Sequence, residues 1–426
     1  MASATYVKTY PKAYAKTYSK VEPPSSVGPN VTTNFTSTWT TTGVDETISL
    51  PLLDGGAYNF TVNWGDGNED TITAWDQSEV THTYATANTY TVTINGTLEG
   101  WAFVNTGDKD KIQTITKWGN LALSYDGYDS GLLGAGYFHG CNNLTISATD
   151  LPDTTFLVSM RNAFLNCNAL TGTGNWAWDT SLVQSMQSCF SGSDLFNGDV
   201  SSWNTSACTN MASMFFSCDL FNQNVGSWDT SSVTTMDRTF DGCNAFNQNI
   251  GSWNTSSVTN MRLMFNNCFA FNQNIGSWDV SNVTNMQQMF RSCTVFNQNI
   301  GSWDVSSVTD MIAMFRAAPA FNQNIGSWNT SSCEDMGAMF RDAAAFDQDI
   351  GGWDVTALTD ALSMFLNVTL STANYDALLI GWEGQAVNNN VAFHGGNSTY
   401  SAGSAATARA DLIADHTWSI TDGGPA

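Results

Sequence analysis

The chain has 426 residues, a net charge of −24 and only 12% charged residues. Such a surface is rich in Asn, Gln, Ser and Thr and mildly acidic, which argues against nucleic acid as a ligand of the body. No apolar run is long enough to cross a membrane as a helix. Residues 1–30 form the first segment. Its repeat reads TYVK, TYPK, AYAK, TYSK, so Tyr6, Lys8, Tyr10, Lys12, Tyr14, Lys16, Tyr18 and Lys20 alternate with small residues. No acidic residue precedes Glu22, so this arm is about +4 and the remainder about −28. Pro11 argues against one continuous helix, and Pro23-Pro24 open a linker. The expected form is an extended arm that attaches the chain to a protein partner, its tyrosines supplying contact area. The N-terminus has no apolar h-region, so a secretory signal is not expected.

Residues 31–105 read as β-structure. Thr47–Leu52 alternates, Phe60–Trp64 runs into the turn Gly65-Asp66-Gly67, and Thr81–Tyr84 and Tyr90–Ile94 follow. Strands at this spacing with turn signals predict a small sandwich. The V-N-W-G-D-G stretch and the paired T-H-T-Y and Y-T-V-T-I resemble a polycystic-kidney-disease-type (PKD) domain, which implies an immunoglobulin-like β-sandwich. Asn88 stands where that pattern more often has Gly. Asp66 and Asp70 can cap turns or hold a cation, and capping is the commoner use of Asp in a turn.

From Trp101 the chain enters a long periodic region, expected over 106–370 with its first part as an N-terminal cap. Trp228, Trp253, Trp278, Trp303 and Trp328 fall 25 residues apart, as do Phe246, Phe271, Phe296 and Phe321, and Met261, Met286 and Met311. These columns form the expected repeat core. Cysteine recurs at 141, 167, 218, 243, 268 and 293, with Ser193, Ala318 and Ala343 at equivalent places. Such a column reads as small buried fillers rather than disulfides. A fixed period of this length means stacked units, none of which can bury its apolar face alone.

The phrase M-F-x-x-C-x-x-F-N-Q-N-I-G-S-W-D-V-S-S-V-T-N-M resembles the leucine-rich repeats of bacterial surface proteins with a 25- or 26-residue unit. That resemblance implies a leucine-rich-repeat-like solenoid, with short strands near N-I-G and S-V-T-N-M and a short helical turn at M-x-x-M-F. The residue after each Trp alternates between Asp and Asn, which suits an Asx-turn. A calcium ladder is the alternative, weakened by Asn at 204, 254 and 329.

Residues 371–426 break the period. Tyr375–Trp382 and Ala405–Asp415 read as helices, Val391–Phe393 and Trp418–Thr421 as strands, together an α+β C-terminal cap. No motif for chemistry emerges. The four histidines, at 82, 139, 394 and 416, lack metal-ligand spacing, and there is no CxxC, nucleophile elbow or P-loop. No catalytic, cofactor-binding or metal residue is assigned, and the chain is not expected to be an enzyme. Arg291, Arg316 and Arg341 form a three-turn column that reads first as a solvated face. The expected function is a non-catalytic structural and recognition protein on the exterior of a virus particle, such as a capsid decoration or tail component. The arm would attach it, and the solenoid, in one copy or in an oligomer, would present a surface to a cell-surface protein or glycan. The alternatives are a bacterial cell-surface adhesin and, more distantly, a carbohydrate-active enzyme.

Overall fold

A computed structural model describes residues 33–123 and 135–426. The arm lies outside the described residues. Nine strands come first: β1 (Phe35–Thr40), β2 (Glu46–Ser49), β3 (Tyr58–Asn63), β4 (Glu69–Ile72), β5 (Thr81–Tyr84), β6 (Thr89–Glu99), β7 (Ile112–Lys117), β8 (Leu121–Ala122) and β9 (Thr145–Ile146). Alternation explains them: β1 buries Phe35, Ser37 and Trp39, and β3 buries Tyr58, Phe60 and Val62. Seven strands form one sheet in the order β4-β3-β6-β1-β7-β9, with β8 also on β6, and β2 pairs separately with β5. β8 and β9 pair parallel to β6 and β7, so the large sheet is mixed.

The repeat region begins just before β9, where the phenyl ring of Phe138 stacks on that of Phe164 at 5.4 Å. Phe-on-Phe stacking continues through Phe190, Phe215, Phe240, Phe265, Phe290, Phe315, Phe340 and Phe365. The indoles of Trp253, Trp278 and Trp303 stack within a few degrees of parallel at 6.4–6.5 Å. The rest of the chain comprises α1 (Thr372–Glu383), β10 (Ala392–His394), α2 (Ser404–Ala414) and β11 (Ser419–Thr421), with β10 parallel to β11. Trp353 Nε1 donates to the Ile325 carbonyl, and Trp382 Nε1, from α1, donates to the Ile350 carbonyl in the same way. A helix thus supplies the last indole of the column.

The expected leucine-rich-repeat-like solenoid of short strands and helical turns, set between a β-sandwich and an α+β cap, is corrected by this structure. The regular secondary structure of the described residues is mainly β-strand, with two α-helices, and the large sheet runs on past residue 105 instead of closing as a sandwich. No strand or helix forms between Ile146 and Thr372. Each 25-residue segment is a succession of turns with one isolated parallel bridge to the next, as in Asn260 to Asn285 to Asp310, beside further backbone hydrogen bonds such as Leu263 N–H to the Gln287 carbonyl and Phe265 N–H to the Met289 carbonyl.

Side-chain competition with the backbone explains this. In residues 246–270, Asn249, Asn254 and Asn260 each accept from the N–H two residues on, bending the chain three times. At M-x-x-M-F a helical turn is impossible, because Leu263 and Asn267 both have a φ of 57°. The same two positions are left-handed in neighbouring segments, for example Gln288 with Ser292 and Ala313 with Ala317. Residues committed to αL cannot continue a right-handed helix.

Candidate interaction surface

Inside the stack, the columns are spent on packing. Trp228, Trp253, Trp278, Trp303 and Trp328, Phe246, Phe271, Phe296 and Phe321, and Met261, Met286 and Met311 are all buried. Each indole N–H also has a backbone acceptor, as Trp278 Nε1 has in the Ile250 carbonyl at 3.1 Å. The thiols of Cys218, Cys243, Cys268 and Cys293 donate to phenylalanine carbonyls at 2.9–3.0 Å. Burial pushes the Cys243 thiol far up, with the neighbouring Cys218 and Cys268 adding to the effect. These sulfurs stay protonated and unreactive.

One outer edge is equally committed. Asn272 Oδ1 accepts from Asn297 N–H at 3.0 Å and from Gln298 Nε2 at 2.9 Å, while Asn272 N–H donates to Asn247 Oδ1. The pattern runs through Asn197, Asn222, Asn247, Asn297 and Asn322 to Asp347. Burial opposes ionisation of Asp347, but donors from Ser371 and Asn374 hold its carboxyl below the usual range. Sequence reasoning missed this ladder, whose signal was the N-Q-N triplet recurring at 222, 247, 272, 297 and 322. On the next edge Asp229, Asp279 and Asp304 each accept from the serine two residues on, whose hydroxyl and N–H lower the carboxyl pKa. Asn204, Asn254 and Asn329 accept the same N–H bond without a charge, so the column works as a set of turns.

The face carrying M-x-x-M-F-x-x is where the turns differ from one another. The position after the column Phe reads Asp241, Asn266, Arg291, Arg316 and Arg341. Asn266 Nδ2 donates to Asp241 Oδ1 at 2.7 Å, and burial raises the Asp241 carboxyl. The three arginines are half-buried. Arg291 Nη1 donates to Gln288 Oε1, and Arg341 has Asp342 at 3.4 Å. Among the described residues no carboxylate lies within ion-pair distance of Arg291 or Arg316. Burial and then the two flanking arginines lower the Arg316 pKa. Beside this column an apolar ridge is open to solvent, with Leu220 50% exposed and Phe269 and Val295 each 44%.

Residues 158–278 and 264–378, together more than half of the chain, match the family described as "Mycoplasma protein of unknown function, DUF285". The chain belongs to this family. The match to DUF285 covers most of the stacked turns, runs into α1 and stops short of the large sheet. No curated protein and no solved structure matches the chain.

Outside the DUF285 region the remaining candidates have protein partners. Asp66 accepts from Asn68 and bonds His82 Nε2 at 2.8 Å, and Asp70 accepts from Trp64 Nε1. His394 Nδ1 accepts from Gly396 N–H, and His139 is held low by burial and by Lys109. Among the described residues, no group of three His, Cys, Asp or Glu is placed to hold a metal, and no helix is long and apolar enough to cross a membrane. Tyr6, Lys8, Tyr10, Lys12, Tyr14, Lys16, Tyr18 and Lys20 lie outside the described residues.

Proposed function

We propose that this DUF285 protein is a non-catalytic structural and recognition protein displayed on the exterior of a virus particle, attached by residues 1–30. The observation that carries the reading is the use of the chain's polar groups. Along the repeat the recurrent Asn, Gln, Asp and Ser side chains bond neighbouring turns, as Asn272 does to Asn247, Asn297 and Gln298. Such a body is suited to holding a surface in place. The buried, unpaired cysteines fit a protein that folds and assembles in a reducing compartment. The arm adds a charge opposite to the acidic body, with four tyrosines as contact area.

The experiment is deletion of residues 1–22. The shortened chain should keep its circular dichroism and melting but fail to enter particles or to bind its partner in a pull-down. Attachment equal to that of the whole chain would move the anchoring role elsewhere. A second reading is a bacterial cell-surface adhesin. It is favoured by the family match, since the family's description is of Mycoplasma proteins, and by the resemblance of the repeat phrase to bacterial surface-protein repeats.

A further inference from the structure

We propose that Arg291, Arg316 and Arg341, with the exposed ridge of Phe269, Val295 and Pro319 beside them, form a docking strip for an extended acidic peptide segment of a partner protein. The proposal rests on the reading of the repeat body as a recognition surface and names its partner class.

Three observations meet here. First, the arginines are stacked like charges with little to neutralise them. Arg316 sits between two others, and the one carboxylate at ion-pair distance in the column is Asp342, on Arg341. On the same face Arg262, by contrast, is matched within the fold by Asp237 at 3.3 Å and Gln287 at 2.8 Å. A basic stripe left open on a chain of net charge −24 invites an anion from outside.

Second, the spacing fits a strand. The phenyl rings preceding the three arginines repeat at 5.6 and 5.7 Å. An extended peptide places alternate side chains on one face roughly 6.7 Å apart. Flexible arginine stems take up that difference over three turns, and each guanidinium can meet a carboxylate through paired N–H donors.

Third, three or four residues further along, the surface becomes apolar on the turns of Arg291 and Arg316 and on the Asn266 turn before them. Phe269 and Val295 are each 44% exposed, and Pro319 is exposed beside them. Apolar contact area next to arginine is the composition of a protein interface. A nucleic acid strand also carries regularly spaced anions, but with one on every nucleotide it sets more charge against the acidic body than a peptide with three or four carboxylates does. A peptide with three or four carboxylates and apolar side chains between them meets both halves of the strip.

The test uses the whole chain and a short fluorescein-labelled peptide of alternating Glu and Val, read by fluorescence anisotropy. Matched probes are the same peptide with Gln for Glu and an oligothymidylate. Binding of the Glu peptide that weakens with added salt, and that is lost with the Gln peptide, is the expected result. Arg316→Gln should weaken it about tenfold, and Arg291→Gln/Arg316→Gln/Arg341→Gln should abolish it, while Arg262→Gln leaves it unchanged. The comparison of Glu with Gln peptides on the unmodified chain decides the matter even if the triple variant misfolds. Equal binding of both peptides, no binding of either, undiminished binding by a folded triple variant, or tighter binding of oligothymidylate would each overturn the proposal. So would arginine-dependent self-association of the unmodified chain in sedimentation, which would make the occupant a second copy. Deletion of residues 1–22 should leave peptide binding intact. Failure of the peptide test with arm attachment preserved therefore overturns the strip alone.

Discussion

At Asn272 one residue links three turns of chain. Its side-chain oxygen satisfies an N–H and a side-chain amide from the following turn, and its backbone N–H reaches the preceding one. Replacing it with Ala leaves two donors without their acceptor and should cost about 1–3 kcal/mol of unfolding free energy in urea. Asp should be tolerated better, since a carboxylate oxygen accepts the same bonds and Asp347 closes the ladder. Equal losses from Ala and Asp would show that the acceptor is not what matters. Gly276 is constrained in a different way. A Cβ there would lie 2.5 Å from the Asn299 carbonyl oxygen of the next turn, and one at Gly251 would lie 2.6 Å from that of Asn274. The glycine of N-I-G-S-W is thus required by close approach between turns. Gly276→Ala should destabilise by roughly 1–3 kcal/mol through overpacking. An unchanged urea midpoint would show that the turns separate freely.

At the level of the columns, the indoles and the surface aspartates make opposite demands on the test. Trp278 is buried between Trp253 and Trp303 and donates to the Ile250 carbonyl. Trp278→Ala should leave a cavity and cost about 3–5 kcal/mol, and a melting curve unchanged by it would refute the packing role. The aspartates after the tryptophans matter through pH. Asp229, Asp279 and Asp304 have carboxyls held below the ordinary value of about 3.9 by serine donors. The unfolded chain therefore takes up protons first on acidification. Their contribution is present above pH about 4 and is lost as pH falls through the ordinary value and below. Buried Asp241 and half-buried Asp335 pull the other way, because desolvation raises them and protonation relieves them. Asp229→Asn/Asp279→Asn/Asp304→Asn should keep the turns, as Asn254 does, and should flatten the fall of the urea midpoint between pH 5 and 3. A fall as steep as in the unmodified chain would mean that other groups control acid unfolding.

For the whole molecule, the cysteines link fold to compartment. Nine thiols are buried and free, and burial raises the six column cysteines strongly. Mass spectrometry of unreduced protein should find no disulfide, and several would favour secretion and the adhesin reading. The 25-residue period and the identity of the buried columns were legible from sequence alone. A large apolar residue recurring in register has nowhere else to go when the units stack, and Trp253, Met261 and Phe271 are buried for that reason. The helices near Tyr375 and Ala405 were legible too, at α1 and α2. The path of the chain between the columns was not. The choice between strand and turn depended on whether Asn249, Asn254 and Asn260 bonded their own backbone, and on left-handed residues such as Leu263 and Ala313 that local propensity disfavours. The ladder from Asn197 to Asp347 was also decided only by tertiary structure, as was the pairing of Arg291 and Arg341 within a column that the sequence already showed. The ladder's members sit a whole turn of 25 residues apart, so no local window of sequence contains the contacts between them.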